Sequence, residues 1–187
     1  MIYTLDNFIP RDILIKLNKY LVDFKEVQMP GKKFWVMNAP NYFIDWIVPK
    51  ISSLEGQHIR PILSFFRMST NKLDIDWRIH CDSIIDEQVP KRALVLYISS
   101  SPIKTLHGTA FWSHKVHGDK LDPEELNTEK FNNILLNDSE NLDMWNLNSI
   151  IGYKQNRLVS YPSNYFHSKY PNKSWEKGRK VFVMFYK

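Results

Sequence analysis

The segment Trp77–Asp82 carries a histidine and an aspartate separated by one residue, His80 and Asp82. Side chains at positions i and i+2 of a β-strand point to the same side, so both would project together from an extended segment. An imidazole nitrogen and a carboxylate oxygen are both suitable ligands for a divalent transition metal. The pair therefore predicts two adjacent corners of a metal site, and a surface-facing polar pair is the alternative.

A third ligand has to come from a distant part of the chain, and His167 is the best candidate. It follows the apolar predicted strand Asn156–Tyr161. If the strands close on themselves, His167 can face His80 across the interior. Two histidines and one carboxylate on one face of a metal leave three coordination sites open, which is typical of non-haem Fe(II) oxygenases. A satisfied or exposed loop histidine is the alternative.

Arg179 begins the last predicted strand, twelve residues after His167. Its guanidinium is always charged and presents a planar fork that matches a carboxylate. Because an unpaired charge is costly to bury, an arginine that opens an interior strand needs an anion beside it. Arg179 is therefore a candidate anion-binding residue, and a strand-end arginine in solvent is the alternative.

Other candidate ligands are discounted. The chain has one cysteine, Cys81, which excludes a disulfide framework and a cysteine-based zinc site. Cys81 is expected to face away from His80 and Asp82 as a buried, inert thiol. His114 and His117 lie on opposite sides of an extended chain, so we interpret them as a polar strand end and not as a zinc site.

These residues have to be positioned by one α+β domain spanning 1–187, since 187 residues suit a single domain. Residues 1–57 are predicted to be helical support, and 58–187 a β core with an insertion near 119–147. One helix begins near Pro10, and a second covers Tyr42–Leu54, kinked or shortened by Pro49. Eight strands are predicted, which indicate a β-sandwich or barrel: Ile59–Ser69, Trp77–Asp82, Arg92–Ser99, Gly108–Ser113, Ser149–Lys154, Asn156–Tyr161, Tyr165–Tyr170 and Arg179–Lys187.

Charge is uneven along the chain, whose formal net charge is +5. The insertion is acidic, whereas Tyr153–Lys187 holds eight basic residues against one acidic residue, Glu176. Such a basic segment with aromatic residues is compatible with nucleic-acid binding. Solvated loop charges, with one arginine kept for an anion, are the interpretation we prefer.

The order of these motifs resembles that of the Fe(II)/2-oxoglutarate-dependent dioxygenases, in particular their prolyl 4-hydroxylase-like branch. The resemblance covers nearly the whole chain, beginning with a lead-in segment at Leu5–Pro10. The matching motifs are His80-Cys81-Asp82, Leu94-Val95-Leu96-Tyr97-Ile98, Gly108-Thr109-Ala110-Phe111-Trp112, Arg157-Leu158-Val159-Ser160-Tyr161-Pro162, His167 and Gly178-Arg179-Lys180-Val181-Phe182-Val183.

The resemblance implies a double-stranded β-helix, a jelly-roll or cupin-like barrel, with N-terminal helices packed on one sheet. It makes His80, Asp82 and His167 the Fe(II) ligands. It makes Arg179 the partner of the distal carboxylate of the cosubstrate 2-oxoglutarate, with Tyr97 helping to hold it, and O2 as the second cosubstrate. The implied activity is hydroxylation of an unactivated C–H bond of a protein side chain, with proline as the first candidate.

Two positions depart from patterns in this superfamily. The usual motif has serine or threonine two residues after the arginine, and Val181 stands there. A hydroxyl contact to the carboxylate either comes from elsewhere, with Tyr97 as a candidate, or is absent. Nucleic-acid dealkylases carry a second arginine where this chain has Phe185, which argues against that activity.

Several alternatives remain open at the level of the sequence. They are hydroxylation of a free amino acid or small molecule, nucleic-acid dealkylation, a cupin-like metalloprotein without 2-oxoglutarate, and a metal-free, basic nucleic-acid-binding β-domain. The N-terminus has no basic region followed by an apolar one, and no apolar run is long enough to span a membrane. We expect a cytoplasmic protein without a membrane partner, in a bacterial or virus-infected cell, given the abundance of Lys, Asn and Ile.

Overall fold

Alternating apolar residues build two antiparallel β-sheets in the computed structural model, which describes residues 1–29, 32–82, 85, 88–100, 106–122, 124, 129–171 and 178–187. The strands are β1 (Tyr3–Leu5), β2 (Lys25–Met29), β3 (Lys32–Asn38), β4 (Pro61–Ser69), β5 (Arg92–Tyr97), β6 (Gly108–His114), β7 (Trp145–Gly152), β8 (Leu158–Pro162), β9 (His167–Tyr170) and β10 (Arg179–Tyr186). The α-helices are α1 (Arg11–Tyr20), α2 (Asn41–Glu55) and α3 (Glu129–Asn133).

The larger sheet has seven strands in the order β1-β8-β5-β10-β4-β3-β2, and the smaller has three in the order β7-β6-β9. Side chains of β10 alternate between the two faces of the larger sheet. Val181, Val183 and Phe185 belong to an apolar cluster that includes Phe111 of the smaller sheet. The space between the sheets is therefore lined by residues of both.

The opposite face of the larger sheet contacts the two N-terminal helices. Phe43 of α2 lies 5.0 Å, ring centroid to centroid, from Phe182 of β10. Leu17 of α1 and Ile47 of α2 are fully buried in the same cluster. The helical spacing of apolar residues correctly predicted both helices. Helix α2 continues through Pro49, so this residue does not shorten it.

The sequence prediction missed three strands and placed one that is not formed. Strands β1, β2 and β3 lie within residues 1–57, which were predicted to be helical support. Polar and charged residues dominate β2, which pairs only with β3 at the edge of the sheet, so the apolar pattern of a strand is weak there. The expected loop residues Pro30 and Gly31 lie outside the described residues. In the segment 77–82, only His80 forms a β-bridge.

The predicted β-sandwich or barrel is realised as two separate sheets. Within the described ranges, no ladder of hydrogen bonds joins the two sheets into a closed barrel. Isolated β-bridges pair His80 with His167 of β9, and Lys120 with Tyr165 just before β9.

The acidic insertion lies between β6 and β7, as predicted, and is partly helical. It contains α3, a π-helical turn over Ile134–Asp138 and a 3-10 turn over Leu142–Met144. Phe131 and Ile134 anchor it in a second apolar cluster on the outer side of the smaller sheet. Residue 123 and residues 125–128 of the insertion lie outside the described residues. Across the part of the chain that is described, no helix is long and apolar enough to cross a membrane.

A polar cluster fastens the end of α2 to the larger sheet. The hydroxyls of Tyr3 and Tyr186 each donate to Glu55 Oε1 at 2.7 Å, and Arg92 Nε lies 3.1 Å from the same oxygen. The side chains of Arg92 and Glu55 are only 12% and 14% exposed. Burial raises the pKa of Glu55, but the hydrogen bonds from Tyr186 and Tyr3 and the charge of Arg92 outweigh it and hold the pKa below its usual value.

Replacing Glu55 by alanine is expected to lower the free energy of unfolding by about 3 kcal/mol, because it leaves one charge and two hydroxyls without their acceptor. Since the folded-state pKa is lowered, this contribution is present above about pH 4.3 and is lost as pH falls through the folded-state value. Urea unfolding at pH 7 and in acid measures both effects. The control is Glu26→Ala, whose partner Lys33 is 57% exposed and which is expected to cost under about 1 kcal/mol. Equal losses in the two variants would contradict the role of this cluster.

Candidate active site

A pair of backbone hydrogen bonds brings His80 and His167 together, although 86 residues lie between them. The amide of His80 donates to the carbonyl of His167 at 3.0 Å, and the amide of His167 donates back at 2.8 Å. Residues that exchange both hydrogen bonds lie directly opposite each other, with side chains on the same side. The imidazole centroids are 4.6 Å apart. The two histidines are thus paired by the backbone itself.

Both imidazoles are oriented by hydrogen bonds from Nδ1. His80 Nδ1 lies 2.7 Å from the carbonyl oxygen of Arg78, and His167 Nδ1 lies 2.9 Å from that of Tyr165. A carbonyl only accepts, so Nδ1 carries the proton in each ring and Nε2 presents its lone pair. This outer contact is typical of histidines that bind a metal.

Asp82 faces the Nε2 atoms of both imidazoles. Its Oδ1 is 3.9 Å from His80 Nε2, and its Oδ2 is 3.6 Å from His167 Nε2. The three residues each offer a ligand atom within 4.8 Å of the others. Asp82 and His167 are buried, whereas the side chain of His80 is 37% exposed, so this ligand set opens to solvent on the His80 side. Two imidazoles and one carboxylate form a donor set that fits a divalent transition metal.

Arg179 and Tyr97 lie together on the inner face of the larger sheet. Arg179 is 6% exposed and Tyr97 is fully buried. The guanidinium carbon lies 5.5 Å from the centroid of the Tyr97 ring. Burial lowers the pKa of Arg179, and the neighbouring Tyr97 and Tyr153 act in the opposite direction. The inner face thus holds a buried cation at the start of β10, as the sequence predicted.

The hydroxyl of Tyr97 has partners within the protein. It lies 2.8 Å from Thr109 Oγ1 and 3.4 Å from the carbonyl oxygen of Ile151. The ring of Tyr97 stacks on Tyr153 at 4.3 Å. Thr109 therefore supports Tyr97 by a side-chain hydrogen bond.

Tyr161 lies beside His167, and its hydroxyl is influenced by the charge of Arg179. Its ring centroid is 4.7 Å from that of His167. Burial raises the pKa of its hydroxyl, the charge of Asp82 adds to this rise, and the charge of Arg179 opposes it. Tyr161 therefore lies within electrostatic reach of both ends of the site.

Two cationic side chains near the site, those of Arg67 and Lys169, were not predicted from the sequence. Arg67 of β4 forms a two-pronged ion pair with Asp74, whose side chain is completely buried. Lys169, two residues after His167 on β9, donates from Nζ to the carbonyl oxygen of Asp74 at 2.6 Å. Burial lowers the pKa of Lys169 to about 7, helped by the charge of Arg67. Strand alternation would have indicated Lys169, since it shares a face with His167.

Arg78 and Cys81 flank the His-Asp pair, and Cys81 is buried as the sequence analysis expects. Arg78 turns away and binds Asp76 through Nε at 3.0 Å and Nη2 at 3.2 Å. Cys81 is 4% exposed in the outer apolar cluster. Burial and the nearby charge of Asp82 raise the pKa of its thiol, which keeps it protonated and inert.

The second histidine pair differs from the sequence expectation, because the chain turns after His114 and the rings of His114 and His117 stack at 4.7 Å instead of lying on opposite sides. His114 Nδ1 accepts from the amides of Val116 and His117 at 3.2 Å, so its Nε2 carries the proton and faces Asp138 Oδ2 at 3.3 Å. Both nitrogens of His114 are therefore occupied. A surface pocket of about 480 Å³ beside it is lined by His117, Glu129, Asn133, Ile134, Asn137 and Asp138, and lies apart from the His80 cluster.

Five of the eight basic side chains in the C-terminal segment are buried or engaged with other groups in the described part of the chain. Arg179 is buried, Lys169 bonds to Asp74, and Lys180 Nζ donates to the carbonyl of Leu21 at 2.6 Å. Lys154 and Arg157 both pair with Asp6. Of the other three basic residues, Lys187 is exposed, and Lys173 and Lys177 lie outside the described residues.

Fold and site together describe two antiparallel sheets of the jelly-roll type, with two histidines and an aspartate in one cluster and a buried arginine on the inner face of the larger sheet. The sequence matches no protein-family model and no curated protein. Solved structures share the fold. One is HygX from Streptomyces hygroscopicus with nickel, 2-oxoglutarate and hygromycin B bound, with a TM-score of 0.64, 9% identity, and coverage of 99% of this chain and 82% of that one.

Two further structures have the same fold. A Pseudomonas putida prolyl-4-hydroxylase has a TM-score of 0.55 at 11% identity, covering 100% of this chain and 91% of that one. The non-heme alpha ketoglutarate dependent epimerase SnoN from nogalamycin biosynthesis has a TM-score of 0.59 at 9% identity, covering 100% of this chain and 77% of that one. At such low identities, these matches establish the architecture alone.

Proposed function

We propose that this chain is an Fe(II)- and 2-oxoglutarate-dependent oxygenase with a double-stranded β-helix core. The observation that supports this most directly is the cluster of His80, Asp82 and His167 with both Nε2 atoms turned toward the carboxylate. The same architecture in HygX holds nickel and 2-oxoglutarate. The residues present here fit both groups.

In this proposal, His80, Asp82 and His167 hold Fe(II), and the Asp82 carboxylate offsets one of its two charges. Arg179 binds the distal carboxylate of 2-oxoglutarate and fixes its orientation, with Tyr97 beside it. Iron, 2-oxoglutarate and O2 together supply the oxidant that hydroxylates a C–H bond, with succinate and CO2 as coproducts. Substrate approaches from the more exposed His80 side.

A protein side chain is the proposed substrate, with proline as the first candidate. Support comes from the sequence motifs and from the shared fold of a prolyl-4-hydroxylase. A free amino acid or other small molecule is the second candidate, because HygX and SnoN have structures with hygromycin B and nogalamycin RO. We propose a cytoplasmic, single-domain enzyme without a membrane partner.

Nucleic acid is a weaker candidate partner. Phe185, at the position where dealkylases carry a second arginine, is buried in the apolar cluster between the sheets. The ion pairs and burial of the basic segment also leave little cationic surface there among the described residues. Tight, salt-sensitive nucleic-acid binding that survives loss of His80 would favour that rival.

Anaerobic titration of the protein with Fe(II) and then 2-oxoglutarate tests the proposal. We expect a visible charge-transfer band only when both are present, protection against thermal unfolding by the pair, and succinate formation once O2 and a suitable substrate are added. Absence of both the band and the protection would exclude the oxygenase. Metal binding without any effect of 2-oxoglutarate would favour a cupin-like metalloprotein.

A further inference from the structure

In the proposed function, Arg179 binds the distal carboxylate of 2-oxoglutarate, but no hydroxyl is assigned as a second donor to that carboxylate. The inference below rests on the proposed function. The resemblance places a hydroxyl residue two positions after the arginine, where this chain has Val181. Val181 is 1% exposed and packs in the apolar cluster between the sheets. A hydroxyl for the carboxylate therefore has to come from another strand.

Ser69 is placed to supply it. It is the last residue of β4 and lies directly opposite Arg179 in the antiparallel pairing of β4 with β10. Directly opposed residues project to the same face, with Cβ atoms about 4.5–5.5 Å apart. Ser69 therefore shares the inner face of the larger sheet with the Arg179 side chain, and it is 1% exposed.

The Ser69 hydroxyl differs from those of the other buried serines. Its Oγ is buried without a hydrogen-bond partner within the described ranges. Four other buried serines are all bonded: Ser139 to Leu135, Ser160 to Arg92 and Tyr186, Ser163 to Pro90, and Ser168 to Trp112. A buried hydroxyl without a hydrogen-bond partner costs free energy. The position of this hydroxyl opposite the buried Arg179 therefore indicates that a bound ligand accepts its hydrogen bond.

Tyr97 is less suited to this role, although the sequence analysis names it as a candidate. Its single hydroxyl proton already has two acceptors in the protein, Thr109 Oγ1 at 2.8 Å and the carbonyl oxygen of Ile151 at 3.4 Å. The Ser69 proton has no such competitor among the described residues.

We propose that Ser69 and Arg179 form one carboxylate-binding pair, made by cross-strand neighbours of β4 and β10. The Ser69 hydroxyl donates to the distal carboxylate of the cosubstrate, and the Arg179 guanidinium supplies the charge and further donors. The Ser69 hydroxyl on β4 thus replaces the serine or threonine hydroxyl that the usual motif has at the position of Val181. Ser69 is a binding residue for the cosubstrate with no part in holding the metal.

The test is Ser69→Ala in the full chain, measured anaerobically with Fe(II) by calorimetry and by the charge-transfer band. We expect 2-oxoglutarate to bind about tenfold more weakly, since a hydrogen bond to a charged group is lost. Binding of 2-oxopentanoate, which has a methyl group in place of the distal carboxylate, should not change. Iron affinity should not change either.

Stability without ligands gives a second, independent result. Ser69→Ala removes a buried hydroxyl that lacks a partner, so the ligand-free protein should melt about 2–4 °C higher. The matched control is Ser160→Ala on the opposite face of the sheet. It should lower the melting temperature, because it removes a partner of Arg92 and Tyr186, and it should leave 2-oxoglutarate affinity unchanged.

Two results would overturn the role of Ser69: unchanged 2-oxoglutarate affinity in Ser69→Ala, or equal weakening of both 2-oxo acids. Either can be obtained only if the wild-type protein binds 2-oxoglutarate. Failure of the wild type to bind it would overturn the proposed function itself, so the two failures are distinguishable.

Discussion

Replacing Asp82 by alanine is expected to abolish retention of Fe(II), with the affinity reduced at least about 100-fold. Changing groups that merely orient a metal ligand already costs about 10–100-fold in affinity, and Asp82 is proposed as the only charged ligand. Its carboxylate lies 3.6 and 3.9 Å from the two Nε2 atoms that would share the ion. Equilibrium dialysis against Fe(II) under anaerobic conditions measures the loss.

The matched control is Asp138→Ala. Asp138 also lies beside a histidine, with its Oδ2 3.3 Å from His114 Nε2, but outside the proposed metal site. This variant should retain iron, and circular dichroism should show both proteins folded. Wild-type iron affinity in Asp82→Ala would exclude Asp82 as a ligand.

Replacing Arg179 by alanine is expected to weaken 2-oxoglutarate binding by at least about 30-fold while Fe(II) still binds. Truncating one partner of a buried charge pair costs about 2–5 kcal/mol. Arg179 is 6% exposed, so water compensates little for the lost guanidinium. The cosubstrate concentration that gives half of the charge-transfer band measures the change.

An analogue identifies the carboxylate that Arg179 recognises. 2-Oxopentanoate should bind the wild type and Arg179→Ala about equally, because it lacks the distal carboxylate. The neighbouring variant Lys180→Ala is the control, since Lys180 Nζ bonds to Leu21 on the helical side of the sheet. Equal 2-oxoglutarate affinity in wild type and Arg179→Ala would show that its assignment is wrong.

The sequence was sufficient for the parts of the molecule that depend on local patterns. The apolar spacing predicted α1 and α2, and short runs of strand-type residues predicted β4, β5, β6 and β10 within a few residues. His80, Asp82 and His167 were named from their residue types and motif order, and the structure brings them together. Their roles as iron ligands remain a prediction that the Asp82 variant tests.

The other contacts of the candidate site depend on pairing between strands that are distant in the sequence. A single sequence does not specify this pairing. Ser69 and Arg179 are 110 positions apart, and only the register of β4 against β10 makes them neighbours. The ion pair of Arg67 with Asp74 is local by contrast, and it forms because the chain turns after β4. The segment 77–82 has strand-like residues, yet its backbone bonds are divided among three different segments, through Ser139, Ser163 and His167.

The backbone bridge between His80 and His167 has a consequence for how the centre would exchange its ion. The two amide–carbonyl bonds hold the imidazoles in place by main-chain contacts that need no metal. Ion release would then be a local event that requires neither unfolding nor reordering of the two histidines, because the entropy of pairing them is already lost in folding. Such a centre is preorganised, so an empty protein can be reloaded without passing through the unfolded chain.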